Sequence, residues 1–288
     1  MKDSRLVIGF ATAGRPTTYQ ECLNGLENNI DVPFDIVVVD NTPELNANVD
    51  TSAVSKIIEP SEIISPGESR QQIIESTDSG LLLFIDDDTI PHKKAVERLM
   101  NTLETNSVKM TSGIFWKKER YEESRNIGRI LQTVQGNNRE SLLDISIPLK
   151  EIIQSDITTW DVDVGTPVVM MQREVFDIAS FDPRYDFFFE WIDFFKQTWK
   201  NGEKVRARAD AKFEHLDGEY TGHTIRATQD RKTDRKKFCD KWETELRQDI
   251  CIDRPLSNDD RSLPQRVAKL YADQGIRGVT NIIARRLS

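Results

Sequence analysis

Short apolar runs alternate with stretches of helical periodicity along the first half of the chain. Leu6–Ala11 reads as a buried strand that ends at Thr12-Ala13-Gly14-Arg15-Pro16, and Thr17 is placed to cap a helix reaching about Asn29. Asp35–Asp40 reads as a second strand, closed by the turn residues Asn41-Thr42-Pro43, with Val54–Ile58 a shorter third. Ser65-Pro66-Gly67-Glu68 puts Ser at a cap, Pro at the first helical position and Glu three residues after the cap. That arrangement is a capping box and predicts a helix through Ser76. Leu81–Ile85 is the most apolar strand, and it runs straight into Asp86-Asp87-Asp88.

The pattern continues with a helix over Lys93–Thr105 and a strand over Val108–Trp116. It weakens from Lys117 to Asp161, which predicts a variable excursion. A strand over Thr166–Met171, a helix over Glu190–Asn201 and a strand over Lys204–His215 follow. The end reads as helical, over Gln229–Arg247, Leu263–Asp273 and Gly275–Leu287. Strands alternating with helices predict an α/β fold with a mainly parallel sheet flanked by helices. The division expected is one domain over residues 1–247 and a helical, basic C-terminal extension over 248–288.

Composition narrows the function. The 39 basic and 48 acidic side chains leave a net charge of −9, the wrong sign for a nucleic-acid binder. No apolar run approaches the length of a bilayer span, and the N-terminus lacks a signal-peptide pattern. Cys22, Cys239 and Cys251 are scattered without metal-type spacing, which fits free thiols in a reducing cytoplasm.

In an open parallel sheet, ligands gather at the carboxyl ends of strands. Asp86, Asp87 and Asp88 stand where a buried strand emerges. Three adjacent carboxylates repel one another, and a hard divalent cation relieves that repulsion while keeping coordination positions for a diphosphate. The alternative is a solvated acidic turn. Asp40 in Asp-Asn-Thr-Pro is by itself ordinary turn chemistry, and Arg15 and Arg70 are by themselves surface charges.

Leu-Leu-Leu-Phe-Ile-Asp-Asp-Asp-Thr-Ile-Pro resembles the metal-binding motif of GT-A-fold glycosyltransferases, especially the inverting family 2. The resemblance covers roughly residues 5–245. It extends to Phe-Ala-Thr-Ala-Gly-Arg-Pro at the first strand-to-helix turn and to Val37-Val38-Val39-Asp40-Asn41-Thr42 at the second strand. Gly67 and Arg70 sit where the family has a Gly and an Arg ahead of the aspartates. The resemblance implies a Rossmann-like nucleotide-binding sheet and a nucleotide-diphosphate sugar donor, a UDP-sugar first of all. It places Thr12, Arg15, Asp40, Arg70, Asp86 and Asp87 on the donor, and Mn²⁺ or Mg²⁺ on Asp86, Asp88 and a late His. His215, closing the strand Lys212-Phe213-Glu214-His215, is that ligand; His223 is the weaker alternative and His92 a surface residue.

On the acceptor side, a helix starting near Glu190 puts Glu190, Asp193 and Gln197 on one face, and Trp191, Phe195 and Trp199 on a second stripe. Acidic residues there would also favour a helix N-terminus. The family has a Glu-Asp pair at this point, an acid three residues after the Glu and a Gly twelve after it. Glu190, Asp193 and Gly202 match, whereas Trp191 occupies the place of the Asp that usually serves as base. The base is therefore expected at Glu190, with Asp193 as the other choice.

Tyr220 and Arg226 match loosely a segment that can fold over the donor. The basic run Arg231–Lys241 is either a phosphate contact or a solvated helix face. Arg261–Ser288 carries Arg261, Arg266, Lys269, Arg277, Arg285 and Arg286 against Asp273, with apolar residues at helical spacing. Such a helix lies on the inner face of a membrane, on its own domain or on a second subunit. The acceptor class is a glycan, a lipid-linked glycan or another hydroxyl compound. Two rivals stand beside the transferase: a non-catalytic nucleotide-sugar-binding homologue, and a sugar-phosphate nucleotidyltransferase. The latter would want more than the single Gly of Ala-Thr-Ala-Gly-Arg-Pro.

Overall fold

The computed structural model describes residues 5–105, 108–116, 126–135, 140–148, 158–186, 189–216 and 231–247. Its first part runs β1 (Leu6–Thr12), α1 (Pro16–Asn29), β2 (Phe34–Asp40), β3 (Lys56–Ile58), α2 (Pro66–Glu75), β4 (Leu81–Phe84), β5 (Thr89–Pro91) and α3 (Ala95–Thr105). There follow β6 (Met110–Trp116), β7 (Asn126–Gln135), β8 (Glu140–Pro148), β9 (Thr159–Val162) and β10 (Val169–Gln172). The last elements are α4 (Phe189–Lys200), β11 (Val205–His215), α5 (Arg231–Trp242) and β12 (Glu245–Arg247). The predicted helices Leu263–Asp273 and Gly275–Leu287 lie outside the described residues, as do Tyr220, His223, Arg226, Cys251 and the expected extension 248–288.

The main sheet has the order β3-β2-β1-β4-β10-β6-β11-β5, with β9 on β11. Its β3-β2-β1-β4 half is parallel throughout, as is the β6–β11 pair, while β10 enters antiparallel between β4 and β6. Register decides what reaches the edge. Thr12 is level with Asp40, and Phe84 is level with Gly9. The chain therefore leaves β1, β2 and β4 on one side, with Thr12, Asp40 and the three aspartates at that edge. β11 then pairs with β5 so that His215 stands opposite Thr89.

The sheet separates two cores. On one face α1 and α3 bury Tyr19, Cys22, Leu23, Leu26 and Leu99 against Ile8, Val38, Leu83 and Phe213. On the other, α2 and α4 bury Ile73, Trp191, Phe194 and Phe195 against Val39, Leu82 and Phe84. Trp191 is edge-on to Phe181 and stacked on Phe195, with centroids 5.0 and 5.5 Å apart. Such aromatic pairs add specific geometry to their burial.

Several boundaries differ from expectation for local reasons. Helix α1 begins at Pro16, with Arg15 rather than Thr17 at the cap, because the fixed φ of proline suits the first helical position. Ser65 does cap α2, accepting from the Glu68 N–H at 3.1 Å. The stretch read as one helix over Gln229–Arg247 stops at Trp242. Glu243 turns with φ 50°, and Glu245–Arg247 becomes a strand beside β8. Part of the weakly patterned excursion is an antiparallel pair, β7 and β8, which β12 extends into a second, three-stranded sheet.

Candidate active site

The first two turns are built as one unit. Gly14 takes φ 65°, a conformation that glycine adopts without Cβ strain, and its N–H donates to Thr42 Oγ1 at 2.6 Å. Asp40 Oδ1 accepts from the Thr42 N–H at 2.9 Å and from Asn46 Nδ2 at 2.8 Å. Asp40 is thus fixed by its own turn, beside Thr12 on the neighbouring strand. Behind them the Tyr19 hydroxyl is pushed well above its ordinary range by burial, with the Asp40 charge adding to the shift.

The aspartate turn is closed by Thr89 N–H donating to the Asp86 carbonyl at 3.1 Å, and clipped from behind by Cys22 Sγ on the Thr89 carbonyl at 3.2 Å. Asp87 and Asp88 are buried, and Asp86 is partly open to solvent. The Arg15 guanidinium forks across the turn, one arm on Asp87 Oδ1 and the other on Asp88 Oδ2 at 2.5 Å. Burial still pushes Asp87 up to about 7, against the pull of Arg15 and the Thr12 hydroxyl.

His215 enters from β11. Its Nε2 stands 3.6 Å from Asp88 Oδ1, its ring is edge-on to Phe115 at 5.2 Å, and the next N–H, of Leu216, donates to the Asp88 carbonyl at 2.7 Å. Among the described residues, no three His, Cys, Asp or Glu side chains are gathered as a preformed metal site. The donors do fit a cation shared with a ligand. Asp88 Oδ1 is buried and accepts no hydrogen bond, while Oδ2 is taken by Arg15. That oxygen and the imidazole nitrogen are a two-point set of the kind that leaves positions for phosphate oxygens and water.

The two acidic residues of α4 part company. Glu190 turns to α2, where Oε1 accepts from Arg70 Nη1 at 2.9 Å. Its carboxylate is almost fully buried, Oε2 has no hydrogen-bond partner, and burial raises its pKa against the opposing charge of Arg70. Gly67 permits this approach, since a Cβ there would lie 3.2 Å from Glu190 Cβ and 3.1 Å from the Asp182 carbonyl oxygen. Asp193 turns to α5 instead. Its Oδ1 accepts from Trp242 Nε1 at 2.8 Å and Tyr185 Oη at 3.3 Å, and Oδ2 from Lys241 Nζ at 2.8 Å and Gln197 Nε2 at 2.9 Å. The basic run of α5 is occupied in the same way. Lys237 meets Asp234 and Asp186, and Lys241 meets Asp182 as well as Asp193.

Arg70 joins the two halves, with Nη2 3.6 Å from Asp86 Oδ1 while Nη1 holds Glu190. Thr12, Asp40, Arg15, Arg70, the aspartates, His215 and Glu190 are therefore linked along one edge, whereas Asp193 faces the α4–α5 contact. Of the anchors of Asp193, only Gln197 was placed beside it by sequence spacing. Tyr185, Lys241 and Trp242 lie outside any motif, and only the preference of a buried carboxylate for partners signals that such anchors exist.

No family model matches the sequence, and no curated protein is significantly similar to it. Solved structures are similar in fold. Staphylococcus aureus TarS 1–349 superposes with a TM-score of 0.53 at 14% identity, over 74% of this chain and 60% of that one. The same protein in complex with UDP-GlcNAc gives 0.51 at 15%, over 76% and 61%. GalNAc-T7 with UDP, GalNAc and Mn²⁺ gives 0.55 at 9%, over 76% and 45%. The chain has the GT-A fold. It spans about 60% of the TarS 1–349 chain and less than half of the GalNAc-T7 chain. The GT-A sheet accounts for the edge just described, since the turns after β1 and β2 and the aspartates leave parallel strands on the same side. Among the described residues, no helix is long and apolar enough to cross a membrane.

Proposed function

We propose that this chain is a glycosyltransferase that moves a sugar from a UDP-sugar to an acceptor hydroxyl, with inversion at the anomeric carbon. One observation carries the reading. A buried carboxylate with an unpartnered oxygen, Glu190, is joined through a single guanidinium to an acidic turn at the ends of parallel strands. Solved examples of this fold hold UDP-GlcNAc in TarS, and UDP, GalNAc and Mn²⁺ in GalNAc-T7.

Asp40 and Thr12, held at the ends of adjacent strands, would face the nucleoside, and Arg15 would neutralise charge beside the diphosphate. Asp88 and His215 would hold Mn²⁺ or Mg²⁺, with Asp86 at the open side of the turn. The cation, when bound, supplies Lewis-acid stabilisation of the leaving diphosphate. Glu190 Oε2 would take the acceptor proton as the acceptor oxygen bonds to the anomeric carbon and the bond to the diphosphate breaks. Asp193, with both oxygens occupied, would serve as a strut.

Trp191 favours a second reading, a nucleotide-sugar-binding protein without turnover, because no carboxylate follows Glu190. One experiment separates the two. UDP binding is measured by calorimetry with and without Mn²⁺, and a panel of UDP-sugars is screened for hydrolysis and transfer. A transferase turns over at least one donor, and Glu190→Gln lowers that turnover by about 10²–10⁴-fold with UDP affinity unchanged. Binding of UDP with no turnover of any donor would favour the second reading, and absence of UDP binding would defeat both.

A further inference from the structure

Arg70 was expected on the donor, yet its strongest contacts lie elsewhere. Its guanidinium is buried against two rings that meet edge to face, 4.6 Å from the Trp191 centroid and 5.7 Å from that of Phe181. One arm holds Glu190 Oε1 at 2.9 Å and the other points to Asp86 at 3.6 Å. Trp191 is in turn fixed by stacking on Phe195 and by its edge contact with Phe84, so this platform belongs to the core.

We propose that Arg70 is a positioning residue for Glu190, and that Trp191 is its platform rather than a vacancy in the catalytic set. This deepens the glycosyltransferase reading and rests on it. Charge ties Arg70 to Glu190. A buried carboxylate that loses its partner is costly, so Arg70 cannot leave to hold a phosphate without stranding Glu190. Geometry comes next. With Oε1 fixed by Nη1, the carboxylate plane is set and Oε2, buried and unpartnered, is the oxygen left to receive a proton. The ring faces complete the arrangement. A guanidinium over an aromatic face is held both electrostatically and by stacking, in a way an ammonium does not reproduce.

An aspartate at position 191 would add a third acid beside Arg70, which already serves Glu190 and Asp86. Trp191 supplies orientation without that charge. The departure from the Glu-Asp pattern thus changes how the base is held: a fixed cation on an aromatic face takes the place of a second carboxylate. The same guanidinium links the proton acceptor to the aspartate turn, so the two groups that act on opposite sides of the transferring sugar share one support.

The test uses the full chain with Mn²⁺ and the UDP-sugar that the donor screen selects, and it compares Arg70→Gln, Arg70→Lys, Arg70→Ala, Trp191→Leu and Glu190→Gln with wild type. A positioning role predicts that Arg70→Gln lowers kcat by about 10²-fold or more, while the Kd for UDP stays within a few-fold of wild type. Arg70→Lys should recover only part of that loss. Added guanidinium at millimolar concentration should raise kcat of Arg70→Ala and leave Glu190→Gln unmoved, an outcome a purely structural role would not give. Trp191→Leu, which takes the ring from beneath the cation, should lower kcat in the same direction with UDP affinity kept, and it carries the comparison if Arg70→Gln folds poorly. A loss of UDP affinity matching the loss of kcat/KM, with kcat at saturation intact, overturns the proposal and returns Arg70 to the donor. No effect of Glu190→Gln in an active wild type would overturn it through the base. A wild type that turns over no UDP-sugar would remove the transferase reading and this one together.

Discussion

Trp242 donates its indole N–H to Asp193 Oδ1 at 2.8 Å, across the contact between α5 and α4. With Tyr185, Gln197 and Lys241 on the same carboxylate, Asp193 joins the helix that carries Glu190 to a helix 38 residues further along, measured from Asp193 to the start of α5 at Arg231. A carboxylate bound at four points within the interior is a fastening, and its removal should be felt as lost stability before lost chemistry.

Asp193→Ala is expected to cost about 1–3 kcal/mol, because it leaves the Trp242 indole N–H without its acceptor, while Lys241 keeps Asp182. Trp242→Phe removes one hydrogen bond to a charged group and should cost about 1.5–3 kcal/mol. Urea unfolding followed by circular dichroism reads both. Equal midpoints for Asp193→Ala and wild type would show that the contact does not hold α4 to α5.

Asp88→Asn should abolish the gain in UDP affinity that Mn²⁺ gives, while leaving UDP binding in chelator as it is in wild type. The reason is that Asp88 Oδ1 is the open oxygen beside His215 Nε2. Calorimetric titration of UDP in both buffers measures it. His215→Ala should act in the same direction. A Mn²⁺ effect that survives both changes would place the cation elsewhere.

Acid should weaken the turn that abuts Glu190. The hydrogen bonds from Arg184, aided by Lys241, hold Asp182 well below the usual carboxylate range. Its folded pKa is thus lower than its unfolded one, near 3.9. The stabilisation is present above the unfolded value and is lost as pH falls through the folded one. Asp182→Asn should therefore lower Tm at pH 7, and the gap to wild type should close as pH drops below about 4. A gap that stays constant down to pH 2 would contradict the linkage.

Much of the fold was legible because period and punctuation agreed. Val37, Val38 and Val39 ending in Asp40, or Leu81–Ile85 ending in aspartates, leave little alternative to a parallel strand whose end carries polar groups. Ser65 and Pro66 placed the start of α2 to the residue. Asp88 near His215 was readable through the ordering of motifs alone, although the distance between them depends on β5 pairing with β11. The reversal of β10 was not readable, since Val169–Gln172 is apolar in either direction. Nor was the split between Glu190 and Asp193. Three positions apart, they share a broad helix face, and only the approach of α2 on one flank and α5 on the other assigns them different partners. Trp191 was legible in part: the stripe it forms with Phe195 is packed in the core, while its place under Arg70 depends on the approach of α2.

The sheet has a different core on each side, and they underpin different parts of the site. Tyr19, Cys22 and Phe213, behind Asp40, the aspartate turn and His215, belong to one; Ile73, Trp191 and Phe195, behind Arg70 and Glu190, belong to the other. Under the proposed reading, substitutions that accumulate under α1 and α3 would alter how firmly a nucleotide is gripped, and those under α2 and α4 would alter how fast an acceptor reacts. Under that reading, a lineage built on this chassis can adjust its acceptor side and its nucleotide side on separate faces of the sheet, and Arg70, which meets both Glu190 and Asp86, is where the two stay coupled.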